Sequence, residues 1–374
     1  MRWVRVIIGL VYQCVVKPIL FLFDAEKVHT NVARLGSSIG KFGLVRCAFR
    51  YDNPILEQTI DGAHFKNPIG LAAGFDYDGY LAHSMGNVGF GFSTIGTVTA
   101  LPYEGNVKPR LARLPRSQSL LVNKGFKSQG TKAIAQRLDQ TRFGSALVGI
   151  SVGSSNVPQI DTVQKAIDDY AATFVVFSTK PYVSYFELNI SCPNVAIGES
   201  FLNLAHFEAL LMRIQLLGIA QPIYVKMPNE IEFNNAQALM ARGLKYGMKG
   251  FIFSNLVKDR TNPAFDQKEI KAFAKYKGNF SGRPVKNNAN TLIRFARAFV
   301  GDRATIIGCG GVFSATDAYE KITCGADLVQ LITGMIYQGP QLIGQINEGM
   351  VKLLCRDGYA SLQDARAAAF ERME

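Results

Sequence analysis

Thr305-Ile306-Ile307-Gly308-Cys309-Gly310-Gly311-Val312 reads as a short β-branched strand running into a glycine turn. A helical stretch over Ala315–Thr323 follows it. The order then repeats: an apolar run Leu328-Val329-Gln330-Leu331, a polar turn Thr333-Gly334, and helical spacing over Gln341–Leu354. Two strand–turn–helix units in succession are the signature of a parallel sheet with helices on its outer face.

Working back toward the N-terminus, the same alternation reaches residue 67. Strands are expected at Pro68–Ala72, Phe92–Ile95, Ala146–Ile150, Tyr185–Asn189, Ile223–Lys226 and Gly250–Ser254 as well, eight in all. Helices are expected at Thr131–Gln140, Thr162–Ser178, Leu202–Leu217, Asn234–Tyr246 and Asn288–Phe299. Eight units predict an α/β fold of the TIM (β/α)8 barrel kind, with a doubly wound open sheet as the runner-up. The stretches Tyr103–Gly130 and Val257–Pro284 read as long irregular loops, which in a compact domain usually carry function.

The chain has 374 residues, 48% hydrophobic and 19% charged, which excludes a mainly disordered protein. Lys and Arg exceed Asp and Glu by 41 − 29 = 12, and residues 1–50 alone hold eight basic and two acidic residues. These basic residues are interleaved with Val6–Val16 and Ile19–Phe23, too apolar for a nucleic-acid arm. The uncharged run is 11 residues, against about 20 for a spanning helix. The division is therefore residues 1–50, a helical segment lying on a membrane surface, and residues 51–374, the barrel. A span over Val4–Phe23 has to tolerate Lys17 and Pro18, and a buried helix pair is the plainer alternative. Six cysteines without a C-x-x-C pair and four dispersed histidines indicate no disulfide framework and no metal.

In a TIM barrel the site lies beyond the C-terminal strand ends. There the chain places Ala73, Gly74, Thr97, Ser151, Asn189, Lys226, Ser254, Asn255, Gly310, Gly311, Thr333 and Gly334. The glycine turns after strands seven and eight suit a phosphate, because glycine lets backbone N–H groups approach an anion. Lys226, ending a buried strand, calls for an anionic partner. The amides Asn189, Asn194 and Asn255 suit a ring with N–H and C=O edges, although asparagine is also an ordinary turn residue. Cys192 is either a proton-transfer thiol or an inert small residue.

Several stretches together resemble the dihydroorotate dehydrogenase family, in its membrane-associated, quinone-linked branch. They are Asn67-Pro68-Ile69-Gly70-Leu71-Ala72-Ala73-Gly74-Phe75-Asp76, Gly105-Asn106 with Lys108-Pro109-Arg110-Leu111, and Leu188-Asn189-Ile190-Ser191-Cys192-Pro193-Asn194. Ser281-Gly282-Arg283-Pro284 and Ile307-Gly308-Cys309-Gly310-Gly311 complete the set, and Pro18–His29 is similar to the branch's quinone-access region. The resemblance implies an FMN-binding barrel that oxidises (S)-dihydroorotate to orotate in pyrimidine synthesis and passes electrons to a membrane quinone. It implies Cys192 as the base at C5, hydride transfer to flavin N5, and flavin or substrate contacts from Asn189, Asn194, Asn255 and Lys226. Gly282, Gly310, Gly311, Thr333 and Gly334 match the phosphate and ribityl region. The short N-terminal extension favours the cytoplasmic face of a bacterial inner membrane over a mitochondrial inner membrane.

The chain departs from that family at definite points. Cys192 stands where the quinone-linked branch carries serine and the soluble branch cysteine. A thiolate is a workable base nearer neutral pH. Tyr77 replaces a lysine, Val122 a substrate-binding asparagine, Leu256 a hydroxyl residue and Ser151 an FMN-contacting asparagine. On the substrate side Asn123 could stand in for the asparagine if the backbone shifts, and Lys124 or Lys127 could supply replacement charge. These departures leave two alternatives: an FMN oxidoreductase for another cyclic amide or enone, and a non-catalytic membrane-bound flavoprotein.

Overall fold

A computed structural model describes residues 2–39, 43–195 and 198–371. Eight parallel strands close into a barrel in strict chain order: β1 (Ile69–Asp76), β2 (Phe92–Val98), β3 (Leu147–Val152), β4 (Tyr185–Asn189), β5 (Ile223–Met227), β6 (Gly250–Phe253), β7 (Thr305–Cys309) and β8 (Leu328–Leu331). All eight coincide with expected strands, and the open sheet is excluded. β1 and β2 run on three or four residues past their expected ends. Each continues beyond a register shift, at Leu71/Asp76 and Ile95/Val98. Gly74 and Gly96, both at positive φ, carry the chain through these irregularities.

Alternation sorts the side chains. On β4, Phe186 and Leu188 pack outward against the helices, so Tyr185, Glu187 and Asn189 point into the barrel. On β5, Val225 faces out and Tyr224 and Lys226 face in. The interior floor is aromatic: Phe65, Phe92, Tyr185 and Tyr224 form a chain of ring contacts with centroids 5.3 to 6.1 Å apart. Gly70 and Gly149 make the room, because a Cβ at either would lie 2.2 or 2.1 Å from the rings of Phe92 and Tyr185. Above the floor, Thr94 and Gln330 both donate to Glu187. A hairpin, Gln58–Ile60 with Ala63–Phe65, plugs the N-terminal mouth, and its Asp61 accepts from Tyr224 and Thr305.

The two stretches expected to be irregular are not loops throughout. Leu111–Leu114, Ser119–Val122 and Asn279–Gly282 form a three-stranded antiparallel sheet over the C-terminal mouth. Each strand is four residues long, too short for its alternation to stand out from the flanking turns.

The N-terminal segment is helical. Helix α1 (Arg2–Phe21) contains one π turn at Tyr12–Val16 and includes Lys17 and Pro18. By length and composition it suffices to cross a membrane. It lies instead along the flank of the barrel. Arg5 pairs with Glu348 at 2.6 Å, the Tyr12 hydroxyl donates to the Ile336 carbonyl, and Gln13 donates to that of Tyr337. The docked face carries these polar groups and the Phe21 ring, which meets Tyr337, while Trp3, Ile7, Leu10, Val15 and Ile19 are exposed on the rest. Helix α2 (Ala25–Ile39) then turns its first residues over the barrel mouth.

Candidate active site

Two joined lobes open at the C-terminal end of the barrel. The first, about 500 Å³, lies between the turns after β7 and β8. Gly282, Gly310, Gly311, Thr333 and Gly334 form its walls, with Ser254 and Lys226 at the inner end. Gly310 and Gly311 have φ of +96° and +72°, conformations that a Cβ would strain. At Gly334 a Cβ would lie 1.9 Å from the Val312 carbonyl oxygen, so here two backbones abut. The helix Thr333–Gln338 begins at this wall, and its first amides have no partner within the helix. The set of donors fits a phosphate: backbone amides, the Thr333 hydroxyl and one ammonium.

The second lobe, about 890 Å³, shares Ala73, Lys226, Asn255 and Thr333 with the first. Its inner wall carries Gly74, Thr97, Asn189, Asn194 and Cys192. Asn189 Nδ2 donates to Thr97 Oγ1 at 2.9 Å, and the Tyr170 hydroxyl holds the Asn189 carbonyl at 2.7 Å. Asn255 Nδ2 donates to the Ser191 carbonyl and hydroxyl, which fixes the loop that bears Cys192. Asn194 is held from two sides, donating to the Val122 carbonyl and accepting from Asn279. Ser151 does not reach the cavity; it stands behind Thr97, with the two hydroxyls 2.9 Å apart. Asn123 also lies outside both lobes, bonded to Asn106 in a neighbouring groove, so Val122 keeps the wall position.

The Cys192 thiol packs with Phe126 and Val195. Burial pushes it up to about 12, against the pull of the Asn194 amide and the Lys226 charge toward thiolate. A thiolate near neutral pH is therefore not what the ligand-free pocket favours. The sequence-based expectation for this residue changes in that respect, because desolvation outweighs the one nearby ammonium.

Lys124 does line the second lobe. Its ammonium is 3.5 Å from Glu26 of α2 and 4.5 Å from the centroid of the Tyr77 ring. Burial lowers its affinity for a proton, and Glu26 opposes that. The Tyr77 loop is set by Asp76, whose carboxylate accepts the amides of Tyr80, Leu81 and Ala82 at 2.8 Å each.

Of the outer wall, the sequence marks only His29, at the end of the Pro18–His29 stretch. His29, Phe75, Leu111, Leu120, Ile332 and Ile336 form an apolar passage toward α1 and α2. His29 Nε2 lies 2.8 Å from the Phe75 carbonyl, and burial pushes the imidazole down to about 4, so it is neutral. No local pattern marks the others as a wall. The wall residues come from four separate segments and share only their position around the mouth.

With this geometry in place, comparison with known proteins is informative. The family model for dihydroorotate dehydrogenase matches residues 55–354. A protein of Roseiflexus sp. named dihydroorotate dehydrogenase (quinone) is 34% identical over 359 residues, covering 94% of this chain and 96% of its own. One of Cyanothece sp. with the same name is 35% identical over 373 residues, covering 94% and 98%. Among solved structures, the Eimeria tenella enzyme in complex with ferulenol superposes with a TM-score of 0.81 at 25% identity. That alignment covers 91% of this chain and 94% of the other. The match over most of the length, on an eight-stranded barrel shared with the solved structure, places the chain: it is a member of the dihydroorotate dehydrogenase family of oxidoreductases, among its quinone-linked members.

Proposed function

We propose that this protein oxidises (S)-dihydroorotate to orotate with bound FMN and passes the electrons to a membrane quinone, in pyrimidine biosynthesis. The observation that carries the reading is the placing of Cys192, Asn189, Asn194 and Asn255 around one cavity that continues into a glycine-walled phosphate cup.

The residues fit FMN. Gly282, Gly310, Gly311, Thr333 and Gly334 would hold its phosphate and ribityl chain. Ala73, Gly74, Thr97, Asn189, Lys226 and Ser254 would hold the ring, with Ser151 acting through Thr97. FMN, when bound, supplies the two-electron acceptor. The protein's own part is positional and protonic. Asn189, Asn194 and Asn255 offer both donors and acceptors to a ring amide, and their other bonds hold them in place. Cys192 takes the proton from C5 as the C5–C6 double bond forms. Lys226 and the Asn194 amide favour the thiolate this requires.

The apolar passage past His29, Phe75 and Ile336 is the route we assign to the quinone. We place α1 on the membrane surface, its exposed apolar residues toward lipid and its docked face on the barrel. On this reading residues 1–50 are the membrane and quinone segment and residues 51–374 the FMN barrel.

The test is anaerobic mixing with dihydroorotate while following flavin absorbance at about 450 nm. Bleaching that is lost in Cys192→Ala is the expected result. A yellow protein that stays yellow overturns the substrate assignment and favours a different ring compound, as Tyr77, Val122 and Leu256 in the cavity wall would then explain.

A further inference from the structure

We propose that Lys124 is the cation that anchors the anionic group of the substrate, presented across the pocket over the face of Tyr77. The proposal deepens the functional reading above and rests on it.

The argument begins with charge. Of the ionisable groups that line the second lobe, two are ammoniums, Lys124 and Lys226, and none is a carboxylate. His29, the remaining basic group there, is held neutral by burial. Lys226 lies at the junction with the phosphate cup and belongs to the cofactor's end. Lys124 stands on the opposite wall, two residues from Phe126, which packs on Cys192. It is 5% exposed, and an ammonium so buried requires a counter-charge.

Glu26 supplies only part of that counter-charge. Its two carboxylate oxygens are already taken by Arg110 Nε, at 2.8 and 2.9 Å. The Lys124 contact, at 3.5 Å, is the longer and weaker one. One carboxylate thus serves two cations, and Asp24 and Asp78 act on Lys124 from beyond ion-pair distance, so its ammonium keeps donor capacity toward the cavity. A ligand carboxylate is the group that uses it, with a charge-assisted bond stronger than a neutral one.

Tyr77 explains why the charge comes from this side. By resemblance, the family carries a lysine at the Tyr77 position. Here the ring occupies that place, and the Lys124 ammonium lies 4.5 Å from its centroid. Packing on the ring face holds the ammonium without consuming its hydrogen-bonding capacity. The pocket keeps one cation in the lobe that Cys192 lines while exchanging which residue provides it.

The test is equilibrium titration of the FMN-loaded protein with orotate, read from the perturbation of the flavin spectrum. Lys124→Met should weaken orotate binding by about 10- to 100-fold, the loss of one charged hydrogen bond. Flavin content should stay unchanged, since Glu26 keeps Arg110. Binding of dihydrouracil, which lacks the carboxylate, should be the same in both proteins. Lys124→Arg should retain most of the affinity. The double exchange Tyr77→Lys with Lys124→Tyr should recover much of what Lys124→Met loses. Orotate binding that is unchanged in Lys124→Met, with wild-type protein binding normally, sinks the anchor. Wild-type protein that takes up no orotate instead overturns the functional reading itself.

Discussion

Asn189 and Lys226 are register partners across β4 and β5. Paired residues on neighbouring strands point to the same face, so the amide and the ammonium reach the barrel mouth together. The outward burial of Leu188 and Val225 fixes that face. A one-residue slip between these strands would turn one of the two groups outward. The sheet therefore sets the polar geometry of the pocket more firmly than any loop does.

Lys226 is the ammonium at the inner end of both lobes. Lys226→Met should weaken FMN binding by about 10- to 100-fold, the loss of a charged contact in a buried site. Flavin fluorescence recovered on dilution measures it. Full retention of FMN would place the lysine outside the cofactor's contacts.

Cys192 sets the pH dependence. Its thiol is pushed up to about 12 by burial, and in the proposed reaction its deprotonated form is the base. The active fraction therefore grows as pH rises. The rate of flavin reduction should climb about tenfold per pH unit through the neutral range, with no plateau below about pH 9. Cys192→Ala should be slow and flat. A wild-type rate independent of pH would show that proton removal is not the controlling step.

The two N-terminal helices should separate in function. Removing residues 1–21 deletes α1, which touches the barrel flank, and leaves Glu26 and His29 in place. Flavin reduction by substrate should survive and quinone reduction should fall. Removing residues 1–30 also takes Glu26 from Arg110 and Lys124 and should impair both half-reactions. Equal behaviour of the two truncations would contradict this division.

Gly334→Ala probes the phosphate cup. Its Cβ would meet the Val312 carbonyl at 1.9 Å, and backbone cannot yield as a side-chain tip can. The start of the Thr333–Gln338 helix must shift. The protein should fold but purify with little flavin, as judged from absorbance per chain. A fully loaded variant would show that this wall does not contact the phosphate.

The barrel was legible from the sequence because its strands are buried on both faces. Such strands read as unbroken apolar runs, and each lies next to a helix of ordinary length. The glycine turns after β7 and β8 were legible too, since strand, turn and helix are adjacent in the chain. The overlying sheet was not. Its hairpin, Leu111–Leu114 with Ser119–Val122, is completed by Asn279–Gly282, more than 150 residues away. Apart from His29, in the Pro18–His29 stretch, the residues of the apolar passage were hidden for the same reason.

Lys124 and Asn123 show where the boundary falls. Asn123 is the candidate to replace the asparagine missing at position 122 and Lys124 a candidate to supply charge, and spacing does not say which of them faces the cavity. The pairing Leu111↔Val122 holds Val122 in the cavity wall, and the turn beyond it sends Asn123 to Asn106 and Lys124 to Glu26 and Tyr77. The sequence by itself determined the strand count, the order of the barrel and the chemistry available at its mouth, because local periodicity and adjacent turns encode them. Only the tertiary structure decided which charge lines the cavity, because that depends on contacts between a helix near residue 26, a loop at 77 and the turn that carries residue 124. Their meeting is set by packing across the mouth and by no pattern within any one of them.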